Sequence, residues 1–287
     1  MCQHHATECR NFTAFRHRWE MPMIWLSAII TLFGFLFGIA AVVVNTDGTA
    51  LGLGDDAKET LDTLSLLALL PLIPIAFYIY RFYLAAQAKS NALRIGPAQF
   101  PELFALYQDI GRRLELKTLP KLYLTNGNGV VNAFALECNR RQRYVVIHAE
   151  IAMLMPTAPE IVEFVLAHEL AHHKLRHVSL WRLAIGVVPQ SLVLPGLATT
   201  RAQEYSADRV ALAVCPNYAN TVRLLAVGPW MQHGVNPQAW LEQCEEENKE
   251  LFVRISNLLS DHAVMVKRFK ALKDIEMHGF ERHGSMF

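Results

Sequence analysis

"VLAHELAHHKLRH", residues 165–177, sets His168, Glu169 and His172 in the spacing H-E-x-x-H. On a helix His168 and His172 lie one turn apart on the same side, so both imidazoles reach a single ion, and Glu169 points into the space beside it. The flanking residues predict such a helix from Ala158. Pro159 suits a first-turn position, Glu160 and Glu163 place negative charge where the helix dipole favours it, and Ile161, Val162, Val165 and Leu166 give an apolar face. His173 and His177 are offset around the wheel and are expected to face solvent or lipid headgroups. A five-residue pattern also arises by chance in a histidine-rich helix, so a third ligand elsewhere in the chain is the deciding feature.

"RAQEYSADRVAL", from Arg201, supplies one. Glu204 and Asp208 are four apart on one helical face; Glu204 can bind the ion while Asp208 accepts a hydrogen bond from a ligand imidazole and fixes its tautomer. Taken without the first motif, the same pair reads as a solvated helix face. Two imidazoles and a carboxylate with one open position suit zinc, one ion per chain, which acidifies its water and polarises a carbonyl while a nearby carboxylate takes the proton. Glu169 is the candidate general base.

The rest of the chain bounds where such a site sits. With 287 residues, 52% hydrophobic and 18% charged, it can bury one substantial core besides membrane segments, and a net charge of +1 gives no reason to expect nucleic acid as a partner. Residues 23–44 carry no charge, and residues 64–84 are apolar until Arg81; both read as transmembrane helices, which makes the lipid bilayer a partner. Arg10, Arg16 and Arg18 precede the first span, and Arg81, Lys89 and Arg94 end or follow the second. The loop between holds Asp47, Asp55, Asp56, Glu59 and Asp62 against Lys58 alone, so both termini are expected in the cytoplasm and the acidic loop outside. The expected organisation is a cytoplasmic tail (1–22), two spans with an external loop (23–84) and a cytoplasmic catalytic domain (85–287). Five cysteines without regular spacing fit a reducing compartment; Cys2, His4, His5 and Cys9 read as a flexible tail rather than a metal clasp.

Within residues 85–287 the pattern predicts a helix over 101–116, then strands "KLYLT" from Lys121, "VVNAFALE" from Val130 and "RYVVIH" from Arg143, the last two joined by "CNRRQ". "NGNG" at 126–129 reads as a turn. Residues 237–259 are expected to be helical, the acidic run 245–247 a solvated face, and the basic stretch of Lys267, Arg268, Lys270 and Lys273 either solvated or touching anionic lipid.

"VLAHELAHHKLRH" followed by "EYSAD" resembles the integral-membrane zinc metalloproteases of the HtpX type, in the gluzincin family that also contains the CAAX prenyl endopeptidases. The likeness extends from the two N-terminal spans through "VVNAFALE", similar to an N-A-F edge-strand motif, to "DHAVMVKR" near the C-terminus. It implies an α+β, mainly helical chain: two N-terminal transmembrane helices, then a zincin-like domain with a small β-sheet and an active-site H-E-x-x-H helix. His168, His172 and Glu204 would be zinc ligands, Glu169 the base and Asp208 the partner of a ligand. Asn132, Ala133 and Phe134 would lie on a strand beside the cleft, where protein or peptide substrates add through main-chain hydrogen bonds; a strand that only builds the core is the other reading of Phe134. His262 and Arg268 would steady the oxyanion or organise the cleft.

Two departures stand out. Ala263 replaces a proline of the family pattern, and the residues between the two metal motifs are too few for the further membrane hairpin that HtpX-type members carry. One crossing there would put Glu204 across the bilayer from the histidines, so residues 178–199 are expected to form a short bent or helical hairpin against the bilayer surface or over the cleft, with Trp181 near the headgroups. The function implied is a membrane-anchored zinc endopeptidase of protein quality control in a bacterial inner membrane, cutting unfolded or membrane-proximal proteins. A catalytically weak, protein-binding scaffold is the alternative, and the intact Glu169 favours the enzyme. Prenylated substrates fit less well, because they ask for a larger intramembrane chamber.

Overall fold

The computed structural model describes residues 11–46, 72–192 and 194–286. The Cys2/His4/His5/Cys9 cluster, the acidic loop and residues 64–71 of the second apolar run lie outside them. A 3-10 turn (Phe12–Phe15) leads into helix α1 (Glu20–Thr46); α2 (Ile73–Asn91) and β1 (Leu93–Arg94) follow. Then come α3 (Pro101–Arg113), β2 (Lys121–Thr125), β3 (Ala133–Asn139), β4 (Gln142–His148), the short α4 (Ala149–Ala152) and α5 (Pro159–Lys174). The C-terminal part is helical: α6 (Leu180–Ser191), α7 (Leu194–Val214), α8 (Ala219–Met231), α9 (Pro237–Glu247), α10 (Leu251–Leu258) and α11 (Met265–His278).

The chain is thus mainly helical with one small sheet, of order β1-β2-β4-β3. β4 is central because "YVVI" (144–147) is buried on both faces, which suits β-branched residues. It pairs parallel to β2 and antiparallel to β3, leaving β3 as an edge. β3 starts at Ala133 rather than Val130. The residues before it are held as a loop by Glu150, whose carboxylate accepts from the N–H of Gly127 (3.1 Å) and of Gly129 (2.6 Å). Gly129 takes φ 87°, a left-handed value open to glycine, and a Cβ on Gly127 would strike the Glu150 carboxylate. Asn132 therefore sits one residue before the strand, its carbonyl accepting from His148 N–H at 3.0 Å.

α1 is the one helix among the described residues long and apolar enough to cross a membrane, over Glu20–Ala40. One side of it bares Trp25, Ile29, Phe33, Leu36 and Phe37. The other side packs on a helical hairpin made of α6 and the start of α7, the segment between the metal motifs. Thr31 Oγ1 donates to Ile185 O (2.7 Å), Gly34 lies against Val188, and Ser27 Oγ meets Thr199 Oγ1 (2.9 Å). The hairpin thus rises beside α1 instead of lying across its end, with Pro189 and Pro195 flanking its turn.

Residues 237–259 are helical as expected, though not as one continuous helix. They form two helices, since Trp240 of α9 stacks on Phe269 of α11 (4.5 Å between ring centres) while Arg201 of α7 binds the carbonyls of Leu258 and Ser260 at the end of α10. Nor is the basic stretch a single solvated or lipid-facing face: Lys267 and Arg268 turn inward, whereas Lys270 and Lys273 pair on the surface with Asp274 and Glu276.

The close approach at Gly34, where an added Cβ would come within 3.1 Å of Val188, gives a test. Gly34→Leu should destabilise the detergent-solubilised protein by about 1–3 kcal/mol through overpacking, seen as a lower Tm; an unchanged Tm would mean that α1 and α6 do not meet there.

Candidate metal centre

α5 is buried around most of its circumference, and its inner side carries His168, Glu169 and His172 beneath the middle of α7. The helical period brings the two imidazoles together and α7 brings Glu204 to them. His168 Nε2 lies 3.1 Å from His172 Nε2 and 3.2 Å from Glu204 Oε2; His172 Nε2 lies 3.4 Å from Glu204 Oε1. All three donors fall within 4.8 Å of one another and all three residues are buried. A tetrahedral ion with bonds of about 2.0–2.1 Å has ligand–ligand edges near 3.3 Å, so the three residues fit a metal without rearrangement.

The surroundings set the ligands' protonation. Asp208, one turn beyond Glu204, brings Oδ1 to 2.8 Å from His168 Nδ1, leaving the Nε2 lone pair for the ion. Arg268 clamps Asp208 in turn, through Nε to Oδ2 at 2.9 Å and NH2 to Oδ1 at 2.6 Å. Burial alone would raise the Asp208 carboxyl, but Arg268 and His168 hold it down at about 2. Burial lowers His168, yet hydrogen bonds and charge from Asp208 and Glu204 prevail and raise it to about 10. Glu204 is held well below the carboxylate range by the two histidines against the opposing effect of burial. Glu169 moves the other way: burial, reinforced by the Glu204 charge, lifts it to about 7, a poise suited to a general base.

Glu169 lines the same cavity as the ligands, about 770 Å³ in volume. One wall is the edge of the sheet, where Asn132, Ala133 and Phe134 come together beside the site. Phe134 stays 38% exposed and is not part of the buried core. A second wall is the α6–α7 hairpin. His262 stands at an open rim with Nε2 3.7 Å from Glu204 Oε2, and Ala263 behind it is buried. Arg268 also borders the cavity, but Nε and NH2 are engaged by Asp208.

His173 and His177 are buried, contrary to the helical-wheel expectation. His173 Nε2 lies 3.0 Å from the carbonyl of Tyr144, docking α5 on β4. His177 is not on the wheel, because α5 has ended. Arg176 adopts the left-handed region at φ 62°, His177 N–H bonds back to His172 O (2.8 Å) and Arg176 N–H to His173 O (3.2 Å), a Schellman closure. The reversal sets His177 Nδ1 2.9 Å from His172 Nδ1. Glycine is the usual residue at such a left-handed position, and arginine there left no trace in the sequence.

Two buried imidazoles and a carboxylate, with a raised carboxyl in the adjoining cavity, are the donor set of a metal-dependent hydrolase. Residues 97–199 match peptidase family M48, which supports a zincin-type metallopeptidase and hence a protease function. The matched stretch contains His168, Glu169 and His172 and stops five residues short of Glu204, which the second sequence motif nominates and the geometry brings to the histidines. No solved structure matches the chain.

Because His168 rises to about 10 in the metal-free protein, it carries a proton at neutral pH that a metal must displace. Metal binding should therefore release about one proton near pH 7, and affinity should rise about tenfold per pH unit from pH 7 to 9. Titration calorimetry in buffers of different ionisation enthalpy measures this; binding without proton release would contradict the Asp208–His168 coupling.

Proposed function

We propose that this protein is a membrane-anchored zinc endopeptidase acting on unfolded or membrane-proximal proteins in quality control. The observation that carries the proposal is the convergence of His168, His172 and Glu204 in a cavity that also holds Glu169 and is walled by an unpaired strand edge. Zinc, when bound, would polarise the scissile carbonyl and acidify water in the cavity. Glu169 takes the proton of the attacking water and passes it to the leaving amine. Asp208, fixed by Arg268, keeps the His168 tautomer. His262 at the rim approaches the developing oxyanion. The edge at Asn132, Ala133 and Phe134 binds an extended substrate main chain, which demands little of its side chains.

The exposed side of α1 supports the anchor, and α2 adds outward Ile75, Ile79 and Tyr83. In this reading α2 belongs to the second span. The segment just before α1 packs into the catalytic domain: His17 N–H donates to Ser206 Oγ (2.8 Å), and Arg209 Nε donates to Phe15 O (2.8 Å). The N-terminal segment and the metal centre therefore share one side of any bilayer that α1 crosses, and the basic flanks make that side cytoplasmic.

Glu169→Gln should lower casein cleavage by about 10²–10⁴-fold while zinc stays bound at one per chain. Wild-type, zinc-loaded protein that leaves casein and other unfolded substrates intact would overturn the proteolytic reading in favour of a protein-binding scaffold.

A further inference from the structure

The Asp208–Arg268 pair orients one ligand imidazole, and the structure carries a second arrangement behind the other. His172 Nδ1 faces His177 Nδ1 at 2.9 Å, and His177 Nε2 faces Glu20 Oε1 at 3.3 Å. Glu20 is the first residue of α1, 0% exposed, and is held by Arg16, one turn earlier, and by Arg182 of α6 at 3.0 Å. Arg16 NH2 also donates to Leu175 O (2.8 Å), the carbonyl closing the end of α5, where a cation complements the helix dipole. Three separate parts of the chain thus meet at the Nδ1 side of the His172 ring, where His177 also borders the cavity: the start of the apolar helix, the Schellman turn and the start of the hairpin.

The proton order in this chain is determined. If Nε2 of His172 is the ligand atom, as its place 3.1 Å from His168 Nε2 requires, the proton of a neutral ring sits on Nδ1 and is donated to His177. His177 Nδ1 then accepts, so its own proton sits on Nε2, the atom that faces the Glu20 carboxylate. Only an anion or another acceptor at position 20 favours that order.

We propose that Glu20 and His177 form a positioning relay that fixes the tautomer and direction of His172, so that the first residue of the apolar helix contributes to metal affinity at the catalytic centre. The inference rests on the metallopeptidase reading. His177 acts here through its contact with His172 Nδ1, as a positioning residue. Glu20 acts through His177, and Arg16 and Arg182 hold its carboxylate in place.

The test uses the full chain in detergent, stripped of metal, with Zn²⁺ affinity measured by competition with a chromophoric chelator and the site geometry by the visible spectrum of the Co²⁺ form. His177→Phe, which keeps the ring volume without an acceptor, should weaken Zn²⁺ binding about 10–100-fold and alter the Co²⁺ spectrum. His177→Asn, whose side-chain carbonyl can accept from His172 Nδ1–H, should recover most of the affinity. Glu20→Leu, which removes the acceptor facing His177 Nε2, should weaken binding in the same direction. Wild-type affinity in His177→Phe overturns the relay while leaving the metal centre in place, as does a His177→Asn protein no better than His177→Phe, which would reduce His177 to packing. A wild-type chain that takes up neither ion overturns the metal centre and the relay with it.

Discussion

The structure depends on keeping a group of buried charges paired. Glu204, Asp208 and His168 are buried and Arg268 is mostly enclosed, and each is in contact with the next. Removing one member of such a buried set typically costs about 3–5 kcal/mol, because the survivor is left uncompensated. That constraint explains why α11, distant in sequence, must reach α7, and why Arg268 turns inward from a basic stretch whose neighbours face water. Elsewhere α5 is enclosed by apolar side chains of the sheet, α3 and α8, a low-dielectric surround in which each ion contact counts for more than it would at a surface.

Much of this was legible in the sequence, and the parts that were share a reason. The pairs His168/His172 and Glu204/Asp208 both follow from the helical period, which places residues four apart on one face wherever a helix persists. "RYVVIH" is legible as a strand because its centre, Tyr144–Ile147, is aromatic and β-branched, and the turn "CNRRQ" marks its join to the strand before it, whereas its parallel pairing with "KLYLT" appears only in the structure. The match to peptidase family M48 over residues 97–199 supports the metallopeptidase reading without extending to the carboxylate ligand or to the membrane.

The parts that stayed hidden lie where periodicity stops. A helical wheel assigns His177 to a face only while α5 continues; the left-handed Arg176 ends it and folds His177 back on His172, and nothing in the composition of "HHKLRH" marks that stop. Asn132 drops out of β3 because Glu150, eighteen residues later, captures the glycine loop before it. Glu20 opens an apolar helix and looks like a flank of a membrane span, yet it is fully enclosed. Each of these depends on a contact between segments far apart in the chain.

The phase of α7 has a consequence for how chains with this site diverge. Thr199 is fixed against Ser27, Arg201 against the end of α10, Glu204 against the histidines and Arg209 against the N-terminal segment, all on one unbroken helix. Inserting or deleting one residue between Leu194 and Glu204 would swing the carboxylate by about 100° and shift it by about 1.5 Å relative to those anchors. Length variation among descendants of this architecture is therefore confined to the turn between α6 and α7, where the hairpin can grow without disturbing the register of either helix. The segment between the two metal motifs behaves as an adjustable tip on a stem of fixed phase.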